Sequence, residues 1–215
     1  MSNKEKKKHR QEKILFSLAK LGFLTRTHLR YLHDLKSNRN TSRIMKELEE
    51  YVHMKRHYER NGEAVYYLNK KGLEFTGCEK EFKWTDHVEH YLMRNDLYLY
   101  FGQPSDWRTE ERLTFKMPVK NGARVSLKEY SLVPDAIFTR NNRYHFIEVD
   151  RKQTMKENKR KIEIYKELKE GMKKHYGYSP SLIFYTVTGA RQKQLEAWCQ
   201  EAGIPCQVFR KEDLL

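Results

Sequence analysis

From Asp135 to Val149 the chain runs through two short apolar-rich segments interrupted only by Asn141-Asn142. Asparagine tolerates positive φ, so this pair suits a two-residue hairpin turn. Such a turn fixes the register: Arg140 faces Arg143, and paired residue numbers sum to 283. Asp135 is then placed opposite Glu148, with Cβ atoms about 5 Å apart. Asp150 follows on the same face as Glu148, because strand side chains alternate. Three carboxylates so placed repel one another unless a metal, raised pKa values or nearby cations offset the charge. An oxygen-rich group of this kind suits Mg²⁺ or Mn²⁺. Asp135, Glu148 and Asp150 are therefore the metal ligands to expect if the chain is an enzyme.

Around this hairpin the pattern predicts a mixed sheet flanked by helices. Thr85 starts a helix carrying Val88, Tyr91, Leu92 and Leu99. Strands are expected around Leu113-Thr114-Phe115, Asp135–Thr139, Tyr144–Val149, Ser181–Val187 and Cys206–Phe209. A long helix lies between the third and fourth. Thr154 and Glu157 form its capping box, Ile162, Tyr165, Leu168 and Met172 its buried stripe, and Gly177 lies near its end. A further helix runs from Gly189 to Glu201, and residues 77–83 read as a linker ahead of this module.

The preceding residues have a different rhythm. Ile14, Leu15, Leu18 and Leu21 recur at helical spacing before Gly22. Thr25 or Thr27 can cap a second helix bearing Leu29 and Leu32. A polar break at 36–40 leads to a third, with Ile44, Leu48 and Tyr51 as its buried stripe. A hairpin follows: Val52 and Met54 alternate with polar residues, Asn61-Gly62 supplies the turn, and Val65 and Tyr67 begin the return. Three helices and a basic-tipped hairpin are the element order of a winged helix-turn-helix domain. In that geometry the third helix enters the major groove and the hairpin lies along the backbone or minor groove. The helix offers Asn38, Arg39, Asn40, Ser42, Arg43 and Lys46, and the hairpin Lys55, Arg56 and Arg60, with His57 beside them. Asn and Arg can make bidentate contacts to adenine and guanine edges.

Charge points to a polyanion partner or an anionic membrane surface. The 215 residues carry 43 Lys and Arg against 29 Asp and Glu, a net charge of +14. Residues 1–80 hold 19 basic and 10 acidic side chains, a larger excess than the longer remainder. Residues 1–10 read as a disordered basic tail, 11–78 as the winged helix and 84–215 as the second domain. No apolar run reaches the roughly 18 residues of a membrane span. The basic N-terminus lacks a following apolar region, and Cys78, Cys199 and Cys206 form no CxxC pattern. The expectation is a cytoplasmic protein without a disulfide scaffold or zinc finger.

Pro134-Asp135, the hairpin, and Glu148-Val149-Asp150 together resemble the PD-(D/E)xK nuclease fold. There the two acids hold a metal and a lysine assists the attacking water. Asp150 stands where that family has its lysine. Lys152 is near in sequence, and Lys161 lies one turn before Tyr165, similar to a QxxxY helix motif with Lys in place of Gln. The chain over roughly residues 10–185 also resembles the replication-relaxation family of bacterial plasmids and mobile elements. Phe146 to Arg151, Lys161, Tyr165 and Val65-Tyr66-Tyr67-Leu68 to Gly72 carry that similarity. It implies DNA binding in replication, transfer or control of such elements.

The expected fold class is α+β, an N-terminal winged helix-turn-helix followed by a mixed-sheet PD-(D/E)xK nuclease-like domain. The leading function is a sequence-selective double-stranded DNA-binding protein that needs no cofactor. An alternative is a Mg²⁺- or Mn²⁺-dependent endonuclease with Asp135, Glu148 and Asp150 as ligands and Lys161 in place of the missing lysine. A third is a protein-interaction adaptor. Candidate partners are double-stranded DNA, a second copy in a homodimer, and replication or transfer proteins; no membrane partner is expected. Glu89 and Glu110 are candidates for an extra nuclease acid. His87 and His90 share a helix face without an evident third ligand. Trp84, Trp107, Tyr176, Tyr178 and Trp198 have core packing as their default role, with base stacking the alternative.

Overall fold

The computed structural model describes residues 2–121 and 124–214. They form two compact units, Met1–Leu99 and Tyr100–Leu215, and both mix helix with sheet.

The first unit opens with α1 (Asn3–Leu21), and here the expected basic tail is corrected. Its residues form the first turns of the helix, because Ser2 and Glu5 make a capping box. The Ser2 hydroxyl accepts from Glu5 N at 3.2 Å, and Ser2 N donates to the Glu5 carboxylate at 2.6 Å. Lysines are good helix formers, so a solvated basic run extends the helix readily. Ile14, Leu15, Leu18 and Leu21 are its buried face.

After Gly22 come β1 (Leu24–Thr25), α2 (Arg26–Leu32), capped by Thr25, and α3 (Asn38–Glu47), capped by Ser37. Helix α3 starts inside the expected polar break and buries Thr41, Ile44 and Met45, with Leu48 buried just past its end. Tyr51 lies outside that stripe, half-buried against Phe75. Strands β2 (Val52–His57) and β3 (Glu63–Leu68) pair antiparallel from Val52↔Leu68 to His57↔Glu63. Asn61 and Gly62 take positive φ at the turn. The sheet order is β1-β3-β2, which leaves β2 at an edge. Asn69 caps α4 (Lys70–Thr76). Gly72 is required there, since a Cβ would lie 2.2 Å from the Tyr51 carbonyl oxygen.

Helix α5 (Val88–Tyr100) was expected to open the second module, yet all but its last residue falls in the first unit. Val88 and Leu92 pack with Phe23, Val65 and Tyr67. The Asn95 amide donates to the carbonyls of Leu21 (3.1 Å) and Phe23 (2.8 Å), and Arg94 donates to Leu21. Residues 77–83 are thus a connection inside a unit.

The second unit holds a five-stranded sheet of order β10-β9-β8-β7-β4. Its strands are β4 (Arg108–Thr109), β7 (Ala136–Arg140), β8 (Arg143–Asp150), β9 (Ser181–Thr186) and β10 (Cys206–Phe209). Strands β8, β9 and β10 run parallel, while β7 and β4 add antiparallel pairings. Strands β5 (Leu113–Asn121) and β6 (Arg124–Leu132) form a separate ribbon; β4 and β6 are not among the expected strands. Helix α6 (Met155–Tyr176) follows β8 and α7 (Gly189–Glu201) follows β9. The expected α6 stripe of Ile162, Tyr165, Leu168 and Met172 packs with Ile137, Phe146, Phe184 and Leu195. Among the described residues no helix is long and apolar enough to cross a membrane.

Candidate functional site

In the first unit, the buried anchors of α3 turn the opposite side of the helix to solvent. Asn38, Arg39, Arg43 and Lys46 are exposed, and Asn40 and Ser42 are half-buried. Asn40 is committed locally: its amide donates to Leu35 O at 2.9 Å, and its Oδ1 accepts from Arg43 at 3.0 Å. Arg43 also reaches Glu47 at 2.9 Å but remains 60% exposed. Glu47 accepts from Lys7 and Gln11 on α1, which places the basic first helix beside the end of α3.

On the hairpin, Lys55 and Arg56 are exposed. Lys55 Nζ stands 5.4 Å from the Trp84 ring centroid, and Arg56 donates to Gly62 O. Arg60 differs from the expected tip cation. Its side chain is only 9% exposed, with Nε on Glu89 (2.9 Å) and the guanidinium nitrogens on Asp96 (3.0 and 2.7 Å). His57 meets Glu89 at 2.8 Å, and His28 meets Asp96 at 2.7 Å. Burial would raise the Asp96 carboxyl, but hydrogen bonds and charge from His28 and Arg60 outweigh it and bring its pKa to about 2. Arg60 is thus held inward by two carboxylates on α5.

Glu89 accordingly serves this network within the first unit. His57, Glu59 and Glu89 have ligand atoms within 4.8 Å of one another, the one such trio among the described residues. His87 is exposed beside Asp86, and His90 packs edge-on to Tyr91. Trp84, Tyr178 and Trp198 pack partly buried against cores, and Trp107 is buried and stacked on Phe138. The Tyr176 side chain lies outside the described residues.

In the second unit, Asn141 and Asn142 take φ of 52° and 57°, and β7 pairs with β8 from Ala136↔Ile147 to Arg140↔Arg143. Asp135 stands at the mouth of this pairing; its N donates to Ile147 O (3.0 Å), and its carboxylate accepts from Val149 N (2.6 Å). Glu110 N donates to Asp135 O. Glu148 is buried, accepting from Lys161 at 2.5 Å and from the Tyr165 hydroxyl at 2.7 Å. Burial pushes its pKa up to about 7; the Lys161 charge opposes this and the Asp135 charge adds to it.

Asp150, fully buried, has other partners. It accepts from Asn158 (2.7 Å), Thr186 (2.8 Å) and both Nε and a terminal nitrogen of Arg191. Burial would raise its pKa, but these hydrogen bonds, Arg191 foremost, hold it below the ordinary value.

The three carboxylates therefore do not converge into one ligand group. Lys161 on α6 takes Glu148, and Arg191 on α7 takes Asp150, so two of the three acids have their own cation. Lys152 is exposed. A divalent ion needs free carboxylate or carbonyl oxygens; here an ammonium and a guanidinium occupy those of Glu148 and Asp150, and Asp135 accepts from Val149 N. As arranged, the residues do not fit a Mg²⁺ or Mn²⁺ site. Arg191, Asn158 and Thr186 were not foreseen. The one sequence signal was the order of strands, which pairs Asp150 with Thr186 in parallel register.

A model of the replication-relaxation family matches residues 15–182, running from α1 into β9. No curated protein matches the chain. Among solved structures, the crystal structure of protein VC1899 from Vibrio cholerae is similar at 13% identity with a TM-score of 0.35. That similarity covers 95% of this chain and 53% of the other, so this chain spans about half its length.

Proposed function

This chain belongs to the replication-relaxation family, and from that premise we propose that it binds double-stranded DNA with sequence selectivity. Its role would be in replication, transfer or transcriptional control of a plasmid or mobile element. The observation that carries this is the exposed basic surface of α3 together with the exposed Lys55 and Arg56 of β2. The order α1-β1-α2-α3-β2-β3 and the sheet order β1-β3-β2 support a winged helix-turn-helix reading. In it α3 lies in the major groove, where Arg39 and Arg43 reach base edges, while Lys55 and Arg56 contact phosphate. Dyad-symmetric targets would then call for a homodimer.

The second unit is proposed as a nuclease-like scaffold whose acidic corner is closed by its own cations and serves the fold. Against the endonuclease alternative stand the Lys161–Glu148 and Arg191–Asp150 pairs. Fluorescence anisotropy of the full chain with labelled duplexes across a salt series tests the proposal. Affinity should fall steeply with salt as phosphate counterions are released. Absence of duplex binding at low salt would overturn it and leave the adaptor reading.

A further inference from the structure

Helix α1 carries two kinds of basic residue. Lys7 pairs with Glu47 and Lys8 with Glu12. Lys6, Arg10 and Lys13 recur at helical spacing on one face with no carboxylate paired to them among the described residues. That face forms one wall of a groove of about 520 Å³, and the end of α2 supplies the other wall with Tyr31 and His33. Volumes of this order accommodate a small ligand with a ring and a charged group.

Two features mark the groove as built for a partner. Arg10 Nε and His33 Nε2 are buried and have no hydrogen-bond partner, which is uncommon for buried nitrogens. His33 presents a neutral ring, because burial, then the Lys13 charge, lowers its pKa to about 4. It adds no further positive charge to the lining. Tyr31 is 62% exposed despite its size, and the Arg30 guanidinium sits 4.8 Å from its ring centroid. An exposed aromatic braced by arginine is a platform on which a flat base can stack. Asp34 is the single acid in the lining, so the field there remains positive.

We propose that the groove between α1 and the end of α2 binds a nucleoside phosphate, its base on Tyr31 and its phosphates on Lys6, Arg10 and Lys13. The inference does not depend on duplex recognition by α3. The ligand chemistry is shared by a free nucleotide and by a single-stranded DNA end, and the test separates them.

Full-length protein is titrated with a fluorescent methylanthraniloyl derivative of ATP. Unlabelled ATP, tripolyphosphate and a 5′-phosphorylated single-stranded decanucleotide serve as competitors. Saturable binding is expected, with tripolyphosphate competing at least about tenfold less well than ATP because it lacks the ring. Tyr31→Ala and Lys13→Glu should each weaken binding about tenfold. Lys8→Glu, with the same charge change on another face of α1, and Arg43→Ala on α3 should leave it within about twofold. A stronger competitor in the decanucleotide identifies a strand end as the ligand; a stronger one in ATP identifies a free nucleotide. Either result upholds the site. No saturable binding of either nucleoside probe overturns it. So does a silent Tyr31→Ala, which reduces the groove to a polyanion surface, or a Lys8→Glu loss equal to that of Lys13→Glu. A loss in Arg43→Ala would overturn the separateness of the site from α3.

Discussion

The surface of α3 and the hairpin, and the acidic corner of the β7–β8 pair, use charge in opposite ways. Arg43 is held to Glu47 yet stays largely in water, and Lys55 and Arg56 stand open on an edge strand. Such cations are free to displace counterions from a phosphate backbone. At the acidic corner, Lys161 and Arg191 are held by buried carboxylates. The same contrast recurs within one hairpin, where Arg56 faces out and Arg60 is drawn onto Glu89 and Asp96. Net charge therefore overstates what is available to a ligand; burial decides which cations count.

The largest effect that would sharpen this contrast is on stability. Arg60→Ala leaves two nearly buried carboxylates with only His57 and His28 against them and should cost about 3–5 kcal/mol, read from urea unfolding. Normal stability with impaired duplex binding would move Arg60 into the open set. Next is pH dependence, where the two networks carry opposite signs. The folded-state pKa of Glu148 is raised from 4.5 to about 7, so its contribution is full below 4.5 and lost as pH rises through about 7. The Asp96 pKa is lowered from 3.8 to about 2, so its contribution is present above 3.8 and lost as pH falls toward 2. Glu148→Gln should remove the first loss from a series of unfolding curves and leave the second.

Smaller effects concern binding. Arg43→Ala should reduce the preference for the target duplex by about 1–3 kcal/mol if that side chain reads a base. An unchanged preference would assign the reading to other side chains. Lys55→Ala and Arg56→Ala should weaken all duplexes alike and each lower the salt slope by about one. Smallest of all, Glu148→Ala should leave duplex affinity nearly unchanged, and the parent protein should leave plasmid DNA intact in Mg²⁺ or Mn²⁺. Cleavage abolished by this substitution would break the contrast by showing the corner to be catalytic.

Turn chemistry was the most legible part of the sequence. Asn141-Asn142 and Asn61-Gly62 each specify positive φ, and a hairpin turn sets every pairing behind it. Helix α6 was legible from its capping box and stripe, and with it the neighbourhood of Lys161 and Tyr165 to Glu148. The capping box of α1 was equally present as Ser2 and Glu5, but a run of lysines reads as a solvated tail when charge is weighed ahead of caps. The allegiance of α5 was not legible, because its apolar residues suit either neighbouring core. Nor was the pairing of Asp150 with Arg191, 41 residues away, since nothing local distinguishes that arginine from its exposed counterparts.

Local information fixed the elements: which residues turn, which alternate, which recur every third or fourth position. Those rules act over a few bonds and are written in adjacent residues. Tertiary structure decided which charges meet, closing Glu148 with Lys161, Asp150 with Arg191 and Arg60 with Glu89 and Asp96, while leaving Arg43, Lys55 and Arg56 in solvent. Coulomb energy depends on distance and burial, and both are set only when distant segments pack.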